Sequence, residues 1–474
     1  MVIHARNFVT PDRALGGAVI EKSLRFTSAD NTYLTRTNST SGNRKTWTYS
    51  FWFKRTSTGN ISCLINGNTS ALPWTFFYIE NEKFWFWDIA SSGVGGDNYW
   101  YNLMRDFNAW YHVVLRVDTT QATAANRVRI YVNGVQAPIE KDNLSTIPQN
   151  RDTQINGTTV TEIFNNQARN RSLKGYLADV YMIDGQSLDP TYFAYTESQT
   201  GIWRPKKYTG TYGTNGFHLE FKDNSGTTAT TLGKDTSGNG NHWTPGNFSV
   251  SAGAGNDSVE DTPTNNFCTM NSIDRDSSVT ASDGNLKVSN NNQVWAGLKG
   301  TFAVSSGKWY YEIKGSDNNL FCGWASDDLD TFLASPQDNN TVMSDGVLII
   351  VGTSGQYQLD TGGSGTRINY GSALSANDVL GCAIDLDNNT AQYYINGTGQ
   401  GSINISSSKL ATKQVHPYFI SLYTAQNYTF NFGQQPFTYT PPTGYKTLSS
   451  KNLPPNVPSI IRPQKHFDTI LYTG

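Results

Sequence analysis

The chain has 474 residues, with 36 Lys and Arg against 38 Asp and Glu and a formal net charge of −2. Charged residues make up 16% of the chain, whereas an average protein has about 25%, and aromatic residues reach 13%. The balanced charge argues against nucleic acid as a partner and the aromatic content against disorder. No apolar run approaches the roughly 20 residues that span a bilayer.

Residues 1–22 are interpreted as an N-terminal arm, and they lack the apolar stretch of a signal peptide. After them come short runs rich in Val, Ile, Thr, Tyr, Phe and Trp, which Asn-Gly, Gly-Gly and Ser-Gly interrupt. This pattern is typical of β-strands joined by turns. Apolar and polar residues alternate over 127–132, so one face of that strand should be buried. Asn133 and Gly134 then predict a tight hairpin, because both tolerate positive φ.

The same unit occurs again in the second half of the chain. Residues 379–386 and 390–395 are predicted strands, joined by a turn and followed by Asn396 and Gly397. The repetition favours two β-sandwich domains of related architecture. The alternative is that such hairpins are simply common in β proteins. The sequence thus predicts an all-β fold.

Between these units, residues 201–265 are rich in Gly, Thr, Asn and Ser but contain spaced aromatic residues. We therefore expect an ordered connector with a β-hairpin, and residues 252–266 are the best candidate for an exposed hinge. Proline density near the end predicts an extended arm on a surface. The expected parts are an arm (1–22), a first sandwich (23–200), the connector (201–265), a second sandwich (266–440) and a Pro-rich arm (441–474).

Four cysteines, Cys63, Cys268, Cys322 and Cys382, are scattered along the chain. They form no CxxC pair, and no histidine stands at zinc spacing. We interpret them as small buried apolar residues. A bridge between Cys322 and Cys382 is the alternative, if their strands are neighbours.

Several motifs carry a resemblance to known domains. They are Ser-Leu-Arg-Phe at 23–26, Trp-Thr-Tyr-Ser-Phe-Trp-Phe at 47–53, Trp-Tyr-His-Val-Val at 110–114 and Gly-Tyr-Leu-Ala-Asp-Val-Tyr at 175–181. With these, residues 23–195 resemble a laminin-G or concanavalin-like jelly roll. Further motifs are Gly-Lys-Trp-Tyr-Tyr-Glu-Ile at 307–313, the strand at 378–385 and His-Pro-Tyr-Phe at 416–419. Residues 266–437 resemble a SPRY-type sandwich through them.

The order of these parts, with Pro-Thr-Asn-Asn-Phe at 263–267 and the segment 466–474, is similar to tail or fibre proteins of bacterial viruses. This resemblance implies a structural protein of a bacteriophage virion, made in the host cytoplasm and located at the tail or particle surface. A tail-fibre or host-adhesion role is the first interpretation. The alternatives are a capsid or tail decoration protein without a receptor, and a tailspike polysaccharide depolymerase.

The same resemblance implies partners. Other virion subunits, further copies of the chain (a trimer is one option) and a host cell-surface glycan or protein are expected. Nucleic acid and membrane insertion are not. Fold alone does not define the function, so the site has to be argued separately.

Catalysis by a glycanase on such a sandwich would need paired carboxylates on one strand, at i and i+2 or i+4. The usual Glu-x-Asp-x-x-Glu run is absent. Glu80 and Glu82 have the spacing, but we interpret them as a polar turn between two strands. We therefore predict no enzyme and assign no catalytic residue.

A Gly-rich segment at 95–102 combines aromatic rings, which can stack on sugar rings, with amides and a carboxylate, which can bind hydroxyls. We interpret it as a loop and a candidate glycan site, with Trp100 and Tyr101 stacking. The alternative is that these aromatics pack onto the sandwich or contact another subunit. The candidate residues are Asp97, Asn98, Tyr99, Trp100, Tyr101 and Asn102.

Calcium is the one metal to consider. Asp235, Ser237 and Asn239, followed by glycine, match the first half of a calcium loop. The twelfth position is Gly246 instead of glutamate, so a tight polar turn is the alternative. The acidic cluster at 327–330 is a second weak candidate. We expect no other cofactor.

Overall fold

A computed structural model of the chain describes residues 17–27, 30–57, 61–67, 72–90, 95–101, 104, 106–198, 201–251, 255–329, 346–359, 367–422 and 426–453. Within these ranges the regular structure consists of β-strands and four short 3-10 turns. The turns are Ala124–Asn126, Leu144–Thr146, Pro190–Tyr192 and Lys409–Ala411. None of the described segments is a helix long and apolar enough to cross a membrane. The expected all-β fold is confirmed.

The first half of the chain forms eighteen strands. They are β1 (Ser23–Phe26), β2 (Tyr33–Thr37), β3 (Thr46–Arg55), β4 (Ser62–Gly67), β5 (Trp74–Glu80), β6 (Lys83–Ile89), β7 (Gly95–Tyr101), β8 (Tyr111–Asp118), β9 (Val128–Val132), β10 (Val135–Gln136), β11 (Ile139–Lys141), β12 (Val160–Ile163), β13 (Gly175–Asp184), β14 (Ala194–Thr196), β15 (Trp203–Pro205), β16 (Phe217–Leu219), β17 (Thr244–Gly246) and β18 (Ser258–Val259).

Two antiparallel sheets make the first sandwich. The first sheet has the order β10-β9-β8-β3-β13-β1-β18, with β16 also paired to β13, and the second has the order β11-β7-β6-β5-β4-β12-β2-β17. Successive side chains of a strand point to opposite faces. Phe51 of β3 and Leu115 of β8 therefore meet Phe77 of β5 and Phe86 of β6 in one core.

The connector is part of this first sandwich. Its strands β16, β17 and β18 pair with β13, β2 and β1. Its residues Phe217 and Trp243 are buried in the first core. The connector thus packs with the first sandwich beyond residue 200, where the sequence had suggested a domain boundary.

The second half forms fifteen strands. They are β19 (Met270–Arg275), β20 (Val279–Ser282), β21 (Lys287–Asn290), β22 (Ala296–Gly300), β23 (Lys308–Gly315), β24 (Phe321–Ser326), β25 (Val347–Val351), β26 (Gln356–Leu359), β27 (Arg367–Asn369), β28 (Val379–Asp385), β29 (Thr390–Ile395), β30 (Thr398–Asn404), β31 (Val415–Ser421), β32 (Tyr428–Asn431) and β33 (Lys446–Thr447).

These strands build a second sandwich. The third sheet has the order β19-β22-β31-β24-β25-β26-β27, and the fourth has the order β20-β21-β32-β23-β28-β29-β30, with β33 parallel to β23. Trp324 and Phe419 of the third sheet share a core with Tyr311 and Ile384 of the fourth. The four cysteines are buried free thiols, so the interpretation as small core residues is confirmed.

The two arms lie partly within the described residues. Gly17 forms a β-bridge with Lys206, and Ile20 is buried against the first sandwich. At the other end, β33 pairs with β23 and Leu448 enters the second core. The remaining arm residues, 1–16 and 454–474, lie outside the described residues.

The predicted hinge is instead a buried junction. Lys54 Nζ lies 2.6 Å from Asp261 Oδ2, and both side chains are fully buried. Lys54 also donates a 2.8 Å hydrogen bond to Asn266 Oδ1, and Arg25 forms a 3.1 Å ion pair with Asp257. A buried charge is tolerated only when it is paired. Over 255–266 the expectation of an exposed hinge was wrong, because Asp257 and Asp261 serve as these buried partners. Residues 252–254 of the predicted hinge lie outside the described residues.

Direct hydrogen bonds join the two sandwiches at the same junction. The Tyr176 hydroxyl donates to the Gly284 carbonyl at 2.7 Å, and the Glu260 amide donates to the Gln434 carbonyl at 2.8 Å. Tyr176 comes from β13 of the first sheet, and Gly284 lies between β20 and β21 of the fourth. The sandwiches are therefore held against each other by buried polar contacts as well as by the chain.

Candidate functional site

Strands β5 and β6 divide their aromatic residues between the two faces of the second sheet. Phe77, Phe84 and Phe86 point inward to the first core. The residues between them, such as Trp85 and Trp87, point outward because side chains alternate along a strand. The same outward face carries six aromatic residues, which we call the aromatic face. They are Trp74, Phe76, Tyr78, Trp85, Trp87 and Tyr99.

Their rings form a continuous surface across three strands. Tyr78 and Trp85 are stacked with centroids 5.8 Å apart, and Trp85 lies 4.5 Å from Tyr99. Trp74 and Trp87 form a second pair at 5.5 Å. Trp74, Trp85, Trp87 and Tyr99 are half-buried. Phe76 and Tyr78 are each only 4% exposed, so the ring area that reaches solvent belongs to the other four residues of the face.

Charged groups border the aromatic face on two sides. Lys83 Nζ lies 4.5 Å from the centroid of the Tyr99 ring and 2.8 Å from Glu140 Oε2. On the other side, the Arg171 guanidinium lies 5.1 Å from the centroid of Phe76. Aromatic rings bordered by polar groups suit a ligand that has both apolar faces and hydroxyl edges.

The other three sheet faces that point away from a core are covered by the chain itself. On the first sheet, Trp203 of the connector donates to His112, and Tyr208 packs on Tyr181. On the third sheet, Leu329 packs against Phe321. Within the described residues, the aromatic face is thus a sheet surface on which four neighbouring rings stay half-buried.

On the fourth sheet, a segment after β32 provides the cover. Phe437 packs edge-on against Tyr310 with centroids 5.0 Å apart. The carboxylate of Glu312 accepts hydrogen bonds from the backbone amides of Thr438 and Tyr439 at 2.8 and 2.9 Å. Burial raises the pKa of Glu312, and these amide donors lower it in part. The carboxylate fixes the covering segment in place.

Five of the six predicted glycan residues, 97–101, lie in a strand and not in a loop. Residues 95–101 are strand β7, paired with β6 on one side and β11 on the other. Trp100 is 2% exposed and belongs to the first core, so its ring offers no face to a sugar, and its predicted stacking role is wrong. Asn98 is also buried, and its Oδ1 accepts the Asn143 amide at 2.7 Å. Both point inward because they sit at alternate positions of a paired strand.

Of the predicted set, Tyr99 lies on the aromatic face. The side chains of Asp97 and Tyr101 and the whole of Asn102 lie outside the described residues. Trp85 and Trp87 are not among the residues predicted from the sequence. A signal was present: the alternation Phe-Trp-Phe-Trp at 84–87 places two phenylalanines on one face and two tryptophans on the other.

The calcium candidate has the geometry of a polar turn. Asp235 Oδ1 accepts the amides of His218 and Ser237 at 2.8 Å, and Oδ2 accepts the Asn241 amide at 2.8 Å. The Asn239 side chain donates its amide to two backbone carbonyls. Both carboxylate oxygens therefore already have donors. No group of three or more His, Cys, Asp or Glu in the described part of the chain could hold a metal ion.

The second acidic cluster is bordered by cations. Asp328 accepts the Ser326 hydroxyl at 2.7 Å and lies 3.3 and 3.8 Å from Lys409 and Lys413. The hydrogen bond from Ser326 and the lysines lower the pKa of Asp328. Two ammonium groups at this carboxylate would compete with a bound cation. Asp330 lies outside the described residues.

The carboxylates considered for catalysis are on a turn, as expected. β5 ends at Glu80 and β6 begins at Lys83. Asn81 and Glu82 between them both have positive φ, 49° and 63°. A two-residue turn of this kind matches the twist of the strands that it joins.

His112 is a packed histidine. Its Nδ1 accepts the Trp203 indole N–H at 3.0 Å, so the ring proton sits on Nε2, which donates to Ser50 Oγ at 2.9 Å. The ring stacks on Trp52 at 4.9 Å. Burial lowers the pKa of His112 to about 3. The imidazole is therefore neutral and bound on both nitrogens, which leaves it no free base.

Two protein families match separate parts of the chain. Residues 27–191 match the Concanavalin A-like lectin/glucanases superfamily, and residues 308–435 match the SPRY domain. The chain thus contains a concanavalin-like domain followed by a SPRY domain. This confirms the two domain resemblances drawn from the sequence.

Curated relatives match over a limited length. The ATP-dependent RNA helicase DDX1 of Xenopus laevis is 27% identical over 190 residues, which are 38% of this chain and 23% of the helicase. The probable ATP-dependent RNA helicase ddx1 of Dictyostelium discoideum is 30% identical over 190 residues, 39% of this chain and 22% of that protein. The chain spans less than a quarter of the length of these two relatives.

Solved structures show weak overall similarity. The TRIM65 PSpry domain is 14% identical with a TM-score of 0.28, over 35% of this chain and 89% of that one. The heptameric SAP-like pentraxin of Limulus polyphemus is 15% identical with a TM-score of 0.28, over 37% of this chain and 81% of that one. TM-scores at this level support no functional inference.

Proposed function

We propose that the protein is a non-enzymatic binding protein whose aromatic face holds a cell-surface glycan. We further propose that it serves as a structural component of a bacteriophage virion, in a tail-fibre or host-adhesion role. The observation that carries the first part is the set of four neighbouring half-buried rings on β5, β6 and β7, those of Trp74, Trp85, Trp87 and Tyr99. The second part rests on the order of sequence segments alone.

The aromatic face suits a sugar for three reasons. The apolar faces of pyranose rings pack on flat aromatic rings, and Trp85 and Tyr99 lie 4.5 Å apart as neighbouring platforms. Aromatic side chains also lose little conformational entropy on binding. Lys83 and Glu140 at the border supply a donor and an acceptor for hydroxyl groups.

The first prediction is that Trp85→Ala weakens glycan binding. Loss of the ring that contacts both Tyr78 and Tyr99 should weaken binding at least tenfold, as expected for a central aromatic contact. Binding to host surface polysaccharide would be measured by calorimetry, and to intact cells by pull-down. The melting temperature of the variant should stay close to that of the parent.

The matched control is Trp295→Ala. Trp295 is also half-buried and packs edge-on against one neighbour, Phe321, at 5.1 Å, but it lies in the second sandwich. It should leave glycan binding unchanged. Equal binding by the parent and Trp85→Ala would contradict the proposed role of the aromatic face.

The virion assignment needs its own test. Immunogold labelling and quantitative mass spectrometry of purified particles would locate the protein and give its copy number. A low copy number at the tail supports the fibre role, whereas many copies over the shell support the decoration alternative. Absence from particles would overturn the virion proposal but would leave glycan binding untouched.

Oligomerisation and partners belong to the same proposal. Further copies of the chain and other virion subunits would contact the SPRY domain, while the aromatic face stays free for the receptor. Light scattering of the purified protein would give the oligomeric state.

A further inference from the structure

We infer that Arg171 makes the aromatic face selective for acidic sugars, those that carry a carboxylate. This inference rests on the proposed glycan binding and adds the class of glycan to it. It starts from one cation that borders the rings and differs from its neighbours in its bonding.

Arg171 has no ion-pair or hydrogen-bond partner for its guanidinium among the described residues. The neighbouring cations differ in this respect. Lys83 is paired with Glu140, and Arg169 lies 2.6 Å from Glu162 while stacking on Tyr33. Among the cations described at this border, the charge at Arg171 is therefore the one without an anionic partner.

The position of Arg171 is fixed by the backbone. Its carbonyl accepts the amide of Cys63, in strand β4, at 2.9 Å. The guanidinium in turn lies against the Phe76 ring, at 5.1 Å from its centroid. An arginine held over a ring keeps its in-plane N–H donors free, and these match the two oxygens of a carboxylate. The cation is thus pre-positioned at little entropic cost.

Phe76 connects Arg171 to the half-buried rings of the aromatic face through Trp87, its neighbour on β6. Phe76 is directly opposite Trp87 in the register of β5 and β6, and such residues have Cβ atoms about 4.5–5.5 Å apart. A sugar ring stacked on Trp87 would therefore bring a carboxylate substituent within reach of Arg171. A neutral sugar would gain the stacking without this charge-assisted hydrogen bond.

The test compares acidic and matched neutral sugars. The probes are oligogalacturonate and its methyl ester, within a panel of host oligosaccharides measured in native and carboxyl-reduced forms. The parent should bind the acidic forms about tenfold more tightly than the neutral ones, as one charge-assisted bond implies. Arg171→Gln should remove this preference. Arg171→Lys should keep part of it, because lysine retains the positive charge but lacks the two parallel N–H donors of the guanidinium group.

Lys207→Gln is the control for a general change in charge. Lys207 is an exposed cation beside β15 and away from the aromatic face, and it should keep the full preference. Equal affinity of the parent for both forms, or an unchanged preference in Arg171→Gln, would overturn the inference. Binding of the neutral sugars would in that case still support the proposed function. Failure of the parent to bind any sugar would overturn both.

Discussion

The fourth sheet and the second sheet both carry aromatic residues on the face that points away from their core, yet they treat them differently. Tyr310 of the fourth sheet is 2% exposed beneath Phe437, and the segment that follows Phe437 is fastened to Glu312. On the second sheet, Trp85 and Trp87 remain half-buried. The chain thus covers Tyr310 on one face and leaves part of the ring area of Trp85 and Trp87 open on the other.

This difference in burial separates the rings that mainly stabilise the fold from the rings that are proposed to bind a ligand. A covered ring contributes its full buried area to folding, whereas a half-exposed ring keeps part of that free energy for a ligand. Substitutions on the covered faces should therefore mainly unfold the protein. Substitutions on the aromatic face should mainly abolish binding. Four predictions test this division, starting from the largest expected effect on stability.

The largest effect is expected at the junction that covers part of the first sheet. Lys54→Met leaves the buried carboxylate of Asp261 without its cation, and breaking a buried pair costs about 3–5 kcal/mol. Urea unfolding would measure the loss. The double variant Lys54→Met with Asp261→Asn should recover part of it, and a single variant as stable as the parent would contradict a paired, buried junction.

Tyr310→Ala should cause the next largest loss of stability. It removes a buried ring that contacts Phe437 and leaves a cavity under the covering segment, at a cost of about 3 kcal/mol. The free energy of unfolding would again be the readout. Glycan binding at temperatures where the variant is folded should match the parent, and a selective loss of binding would blur the division between the two faces.

The covered first sheet predicts a pH effect. The pKa of His112 is about 3 in the folded protein against an ordinary value of 6.5, so between these values the unfolded chain binds the proton more tightly. Stability should then fall as pH is lowered from about 6.5 towards 3, by up to about 1.4 kcal/mol per pH unit. Urea unfolding of the parent and His112→Gln over this range checks it: equal slopes would refute the assignment.

The smallest effect on stability is expected for Trp85→Ala. Because the ring is half-buried, its loss should cost less than about 1 kcal/mol, below the range for fully buried aromatic residues. Thermal unfolding would show this beside the loss of binding. A large destabilisation would mean that Trp85 serves the fold in the way that Tyr310 does.

The fold was accessible from sequence because it depends on local patterns. Alternation over 127–132 and the turn at Asn133 and Gly134 predicted β9 and the hairpin that follows it, and the structure has both. Spaced aromatics likewise predicted an ordered connector. The burial of Phe217 of the connector in the first core could not be predicted. Its position depends on the pairing of β16 with β13, which is distant in the sequence.

The site was harder to predict for a definite reason. Two glycines and an amide made 95–102 look like a loop, but pairing to β6 makes it a strand and turns Trp100 inward. A shift between loop and strand changes the direction of every side chain in the segment. The alternation at 84–87 is unambiguous, and it predicts that Trp85 and Trp87 lie together on the outward face.

The buried junction has a mechanical consequence. The hydrogen bonds from Tyr176 to Gly284 and from Glu260 to Gln434 join the two sandwiches, next to the buried pair of Lys54 and Asp261. The two sandwiches would therefore move together as one unit. The direction in which the aromatic face points would then depend on the mounting of the SPRY domain, that is, on how this domain is attached. Angular freedom to meet a curved or uneven cell surface would then come from that mounting, because bending at the junction would have to break these contacts.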